Sequence, residues 1–170
     1  QDGEKHAHTL LSMHNLASLL QSRKDYDEAE ALYRRVLDSR IETLGLKANL
    51  TLQTLHRLGT VCHDNGKQDE AIGIFMCALE GRDETLGPDH RQTLQTVQDL
   101  GSCLLDCNKN DEAKVQLSRA YSGRLDVLGK HHEETLKSMC DLACALYQLK
   151  EYDESEKLQR KSLKGRERTL

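Results

Sequence analysis

Cysteine and histidine carry most of the reactive chemistry this sequence offers. Cys103 and Cys107 stand four residues apart, and Cys140 and Cys144 repeat that spacing. On a helix such a pair faces one way and supplies two of the four ligands of a tetrahedral Zn²⁺ site. No further ligands are evident from the register, so the expected metal set is none. His131-His132, and His6 with His8, read as solvated turn histidines. The chain has no Gly-rich phosphate loop, no Ser-centred nucleophile elbow and no paired-His motif of the zinc-protease kind. Asn49-Leu50-Thr51 has the form of a glycosylation acceptor but reads better as a helix start. We therefore expect no catalysis and no cofactor.

The elements that would position these residues are set by a repeat. Thr-Leu recurs at Thr9-Leu10, Thr51-Leu52, Thr93-Leu94 and Thr135-Leu136, each step being 42 residues. Leu44-Gly45, Leu86-Gly87 and Leu128-Gly129 keep the same step, as do Arg40, Arg82, Arg124 and Arg166. The copies are placed at about 3–44, 45–86, 87–128 and 129–170, a single array over residues 1–170. Within the first copy Leu10, Met13, Leu16, Ala17 and Leu20 step by three and four, the period of one helical stripe. A break at Ser22–Asp25 follows, then a second stripe through Tyr26, Ala29, Tyr33 and Val36. Each copy is thus predicted as helix A of about 16–17 residues and helix B of about 17–18. The short turn between them makes the two antiparallel. Cys62 stands where other copies have Leu20, Leu104 and Leu146, so Cys62, Cys77 and Cys103 are expected as small core residues.

Aligned small residues predict where helices cross. Ala17, Gly59, Gly101 and Ala143 share one place in helix A; Ala29, Ala71, Ala113 and Ser155 share one in helix B. Leu16, Leu58, Leu100 and Leu142, with Tyr33, Phe75 and Leu117, are expected to fill the space around them. Gly81, Gly123 and Gly165 recur late in helix B, where a close approach between neighbouring repeats is expected.

Charge excludes several function classes. Against 28 Asp+Glu the chain has 24 Lys+Arg, a net charge of −4, which speaks against nucleic-acid binding. No apolar run approaches the ~18 residues of a membrane span, and no apolar stretch behind Gln1–Lys5 suggests a signal peptide. With thiols placed inside helices, a reduced, cytoplasmic setting is expected. The basic residues Lys157, Arg160, Lys161, Lys164, Arg166 and Arg168 read as a solvated face with i, i+4 acidic partners such as Glu154 and Glu156.

The phased segments His8–Gly45 and Leu86–Ala113 make the chain resemble the tetratricopeptide repeat family in its 42-residue, kinesin-light-chain-like form. That resemblance implies an all-α, right-handed α-solenoid of four helix-turn-helix repeats, eight antiparallel helices in all. The family's usual His-Pro before Thr-Leu is missing here (His6-Ala7, Ala48-Asn49, His90-Arg91, His132-Glu133), which leaves the helix A starts less sharply set. It further implies a concave groove lined by the A helices. Carried over residue by residue, the groove comprises His14, Asn15 and Ser18; Gln53, His56, Arg57 and Thr60; Gln95, Gln98, Asp99 and Ser102; and Lys137, Asp141 and Tyr147. These fall on the polar side of the helix A stripe. Kinesin light chains repeat an Asn along this groove; here only Asn15 keeps it, with Arg57, Asp99 and Asp141 in its place.

The function expected is a protein-interaction scaffold that takes a peptide or partner segment, within a larger protein. No nucleic-acid or membrane partner is expected. Two alternatives stand beside it. The apolar terminal repeats, through Leu136, Met139, Leu142, Leu158 and Leu163, allow end-to-end self-association. A sensor or regulatory region of a larger signalling protein is the other.

Overall fold

The backbone of helix A to helix B is closed by the same hydrogen bonds in every copy. Lys24, Gly66, Asn108 and Lys150 each adopt positive φ, 58° to 78°, at one equivalent position. The next residue's N–H then reaches back five residues, as from Lys67 to the Cys62 carbonyl at 2.8 Å and from Glu151 to that of Leu146 at 2.9 Å. This is a Schellman turn, which satisfies helix-end carbonyls. Three of the four copies manage it without glycine, at a cost of about 1–2 kcal/mol each.

The computed structural model describes residues 2–167, and for residues 2–5 the backbone only. Within it are eight helices: α1 (Asp2–Ser22), α2 (Tyr26–Leu44), α3 (Asn49–Asp64), α4 (Gln68–Thr85), α5 (Arg91–Asp106), α6 (Asn110–Leu128), α7 (Glu133–Gln148) and α8 (Tyr152–Glu167). The odd-numbered ones are the A helices of the repeat. Arg168 and Leu170, the last of the predicted basic face and the start of a further Leu-Gly, lie outside the described residues.

Helix B gives way to the next helix A through Gly45, Gly87 and Gly129, with φ of 86°, 91° and 83°. Ala48, His90 and His132 then start helix A with one shared backbone conformation, ψ 139–140°. The three starts therefore share one geometry without the proline. His90 and His132 help by accepting the N–H of Gln92 and Glu134 on Nδ1 at 3.2 Å. His132, exposed in the turn before α7 as expected, is also that helix's cap. His6 and His8 lie inside α1, which at 21 residues is longer than the 16 of α3, α5 and α7 because Gly3 stays helical.

Two compact units divide the chain, Gln1–Thr85 and Leu86–Leu170. In the first, α1, α2, α3 and α4 each pack on the next; in the second, α5 to α8 do the same. Ala17, Ala29, Ala71, Ala113 and Ala143 are fully buried at the crossings, with Tyr33, Phe75 and Leu117 beside them. A Cβ on Gly59 would sit 2.8 Å from the Phe75 ring, and one on Gly101 2.7 Å from Leu117 Cγ. Where the fourth copy has Ser155, its hydroxyl donates to the Ala143 carbonyl at 2.7 Å.

Two packing expectations need correction. Gly123 and Gly165 do accept a close approach, but from Leu94 and Leu136, 2.6 Å from an added Cβ, and these belong to their own repeat. Leu16 is not core: it is 45% exposed, whereas Leu58, Leu100 and Leu142 are buried. α1 packs mainly on α2, while α3 has a helix on either side. Leu163 on α8 is likewise exposed.

Candidate functional site

Helix B places an arginine on its own apolar stripe. Ala29, Tyr33, Val36 and Arg40 step by four, three and four along α2, and all are buried. Arg124 holds the same place on α6 and is 1% exposed. A guanidinium so deep must be hydrogen-bonded on several sides. How each unit meets that demand sets the character of its A-helix surface.

In the first unit, Arg40 donates from Nη1 to the Leu50 carbonyl at 2.9 Å and to Thr54 Oγ1 at 2.6 Å, both on α3. Its remaining nitrogens have no hydrogen-bond partner among the described residues, and burial lowers its pKa. Beside it, His14 on α1 is half-buried, edge-on to Tyr33 at 5.2 Å between centroids. Burial, Arg40 and then Arg57 lower the imidazole pKa from 6.5 to about 4, so His14 is neutral. Its Nδ1 is buried with no hydrogen-bond partner among the described residues. Arg57 on α3 is exposed, as is Asn15; Ser18, Gln53, His56 and Thr60 are half-buried. His56 leans on the Phe75 ring, 5.8 Å between centroids, and Thr60 donates to the His56 carbonyl at 2.9 Å. Gln21 and Asp64, joined at 2.8 Å, tie α1 to α3.

The second unit spends the same positions inwardly. Arg124 donates from Nη1 to Ser138 Oγ at 2.8 Å and Gln98 Oε1 at 3.2 Å, and from Nη2 to Gln95 Oε1 at 2.8 Å. Glu134 Oε2 lies 3.6 Å from Nη2. Gln98 is fully buried, accepting Ser138 Oγ and donating to Asp141 Oδ2, each at 2.6 Å. Its amide is therefore committed to the interior. Gln95 donates its own amide to Asp99, and Ser102 donates to the Gln98 carbonyl at 3.1 Å. Burial lifts the Asp141 carboxyl above its ordinary value, against the pull of Lys137 and Arg124. Lys137 and Tyr147 are exposed, Tyr147 edge-on to Tyr152 at 5.5 Å.

Arg40 and Arg124 were legible only as markers of the repeat. Their functional signal was the 42-residue step coinciding with a core position of helix B. Among the cysteines, Cys62 and Cys103 are fully buried and Cys77 is half-buried. Burial, then Glu30 and Glu70, raise the Cys62 pKa to about 11. Ligand atoms of Glu30, Cys62 and Glu70 lie within 4.8 Å of one another. Glu30 and Glu70 are already neutralised by Arg34, and Glu30 also by Lys67 at 2.9 Å, so that set suits an ion-pair cluster better than a cation. Thr51, the last residue of the glycosylation-like triplet, is buried and donates to the Gly45 carbonyl at 2.9 Å.

Antiparallel helix pairs in 42-residue register, packed through small residues, define an all-α repeat protein of the solenoid class. The profile of the tetratricopeptide repeat family matches residues 6–84, 50–126 and 97–168, and the chain belongs to that family. Such repeats are generally protein-interaction scaffolds. In fold the chain is similar to a variant of the putative kinesin light chain of Podosopora anserina with nearly identical TPR-like repeats. The TM-score is 0.87 and identity 24%, covering 97% of this chain and 78% of that one. It is also similar to BtubC (BKLC) from P. vanneervenii, at TM-score 0.86 and 18% identity, covering 92% of this chain and 63% of that one. The chain thus spans less than two thirds of the BtubC chain. No curated protein sequence matches it. Among the described residues no helix is long and apolar enough to cross a membrane.

Proposed function

We propose that the chain is a non-catalytic, cytoplasmic protein-interaction module whose A helices bind a partner's extended segment. The observation that carries this reading is unspent hydrogen-bonding capacity where α1, α2 and α3 meet: the buried His14 Nδ1 and the remaining nitrogens of Arg40, which have no hydrogen-bond partner among the described residues, beside exposed Asn15 and Arg57. An extended backbone or a partner's acceptor group answers that capacity without new chemistry from the protein. On α5 and α7, Asp99, Asp141, Lys137 and Tyr147 offer a more acidic surface of the same kind.

A peptide array screened with the intact chain and with an Asn15→Ala/Arg57→Ala variant tests this. Peptides that bind the intact chain and lose roughly tenfold or more in affinity with the variant, at unchanged helicity, are the expected result. Peptides bound equally by both overturn the reading. A second reading, end-to-end stacking of copies, draws on Leu16, Leu19 and Leu163, which are 45%, 57% and 60% exposed. Light scattering over a concentration series separates the two, since only stacking makes the mass rise with concentration.

A further inference from the structure

The fourth helix A carries two neighbouring thiols within reach of solvent. Cys140 and Cys144 lie one turn apart on α7; Cys140 is half-buried, Cys144 is exposed and both are free. The Cys103/Cys107 pair on α5 differs, since Cys103 is fully buried in the core. At the places of Cys140 and Cys144 the other copies have His14, His56 and Gln98, and Ser18, Thr60 and Ser102. Thr60 and Ser102 turn their hydroxyls back onto the carbonyls of His56 and Gln98, at 2.9 and 3.1 Å. Helix packing in this repeat therefore requires neither sulfur.

Cys140 is held in place from α8. Its Sγ lies 3.0 Å from Ser162 Oγ and accepts a hydrogen bond from Arg166 Nη2 at 3.6 Å. Ser162 is buried and donates to the Leu136 carbonyl at 3.3 Å. What burial Cys144 has, then Asp141 and Cys140, raise its pKa, the last because the two thiols are neighbours. Side chains four residues apart on a helix have Cβ atoms about 5–6 Å apart. A metal in line between two sulfurs, at bonds of about 2.3 Å, needs those sulfurs ~4.6 Å apart, which that spacing allows. The number of ligands then selects the ion. Among the described residues, the one group of three or more His, Cys, Asp or Glu ligand atoms within 4.8 Å of one another is Glu30, Cys62 and Glu70, on other helices. A closed tetrahedral Zn²⁺ site is therefore not built around Cys140 and Cys144. Two thiolates alone suit a soft monovalent ion, Cu(I). Together they carry one net negative charge, which the Arg166 guanidinium offsets.

We infer that Cys140 and Cys144 form a two-thiolate site for Cu(I) on α7. On binding, each S–H bond breaks and a Cu–S bond forms; two protons pass to the buffer and the copper stays Cu(I). The test uses the full chain, reduced and kept free of oxygen, titrated with Cu(I) against the chromogenic chelator bicinchoninate. The intact chain is expected to withdraw one Cu(I) from the chelator. Cys140→Ser and Cys144→Ser each leave a single sulfur and should lose roughly a hundredfold or more in affinity, as a two-point attachment becomes one-point. Cys140→Ser keeps an oxygen to face Ser162, and circular dichroism checks that helicity is retained in each variant. Cys77→Ser/Cys107→Ser, which removes the two half-buried thiols elsewhere, should bind as the intact chain does. The inference fails if the chelator keeps the copper, or if Cys140→Ser or Cys144→Ser binds as tightly as the intact chain. It fails equally if Cys77→Ser/Cys107→Ser loses as much, or if Zn²⁺ binds this pair as tightly as Cu(I).

Discussion

The two units are built on one 42-residue template, yet they treat the same buried arginine differently. Arg40 uses one of its terminal nitrogens, on Thr54 and the Leu50 carbonyl. Arg124 uses both, on Ser138, Gln98 and Gln95, with Glu134 nearby. The reason lies in four matched positions. Leu11, His14, Leu50 and Arg57 stand where the second unit has Gln95, Gln98, Glu134 and Asp141. Polar and acidic groups there give both terminal nitrogens of Arg124 a partner. Apolar and cationic ones leave the first unit with hydrogen-bond donors unanswered. Similar scaffolds therefore yield one cluster with both terminal guanidinium nitrogens bonded, though Arg124 Nε stays unpartnered among the described residues, and one with a single terminal nitrogen bonded.

The largest test of that contrast removes the arginines. Arg124→Met takes the guanidinium from Gln95 Oε1, removes one partner each from Gln98 and Ser138 and leaves Glu134 without its buried cation, and is expected to cost about 3–5 kcal/mol. Arg40→Met should cost only about 1–2 kcal/mol, since Thr54 keeps its bond to the Leu50 carbonyl at 2.8 Å. Urea midpoints followed by circular dichroism compare the two, and equal losses would break the contrast.

Glycine substitutions probe where the units agree. Gly81→Ala and Gly123→Ala drive a Cβ into Leu52 and Leu94, and each should cost about 1–3 kcal/mol. Gly73 in α4 has nothing within 4 Å of an added Cβ, so Gly73→Ala should instead stabilise by about 0.5–1 kcal/mol. A large difference between Gly81→Ala and Gly123→Ala in thermal unfolding would show that the shared packing is less alike than the geometry says.

The smallest effect concerns pH. His14 is held neutral in the fold, its pKa lowered from 6.5 to about 4 by burial, Arg40 and Arg57. The unfolded chain takes up a proton as pH falls below 6.5, which the folded chain resists. Stability therefore declines from pH 6.5 down to about 4 and levels off below. His14→Gln, which gives this position the residue type of Gln98, should remove a slope worth about 1 kcal/mol after solvent screening. An unchanged pH profile would place His14 in ordinary solvent.

Much of this is legible along the chain. The 42-residue step, the two stripes per copy and the small residues at Ala17, Gly59 and Ala29 specify the helices, their pairing and their crossings, because periodicity and side-chain volume are local properties. Leu16 reads as core on its own stripe, yet its burial depends on a neighbouring helix. The close contacts of Gly123 and Gly165 are readable, but not their partners Leu94 and Leu136 in the same repeat; identical spacing fits either partner. Gln98 looks like a groove residue on its helix face, and only the position of Arg124 turns it inward.

By itself the sequence determined the repeat, its all-α character and the family, since all three follow from spacing repeated along one dimension. Which hydrogen-bonding groups end up answered was settled by tertiary structure. That outcome depends on side chains brought together from separate helices, as Gln95, Gln98 and Ser138 are around Arg124.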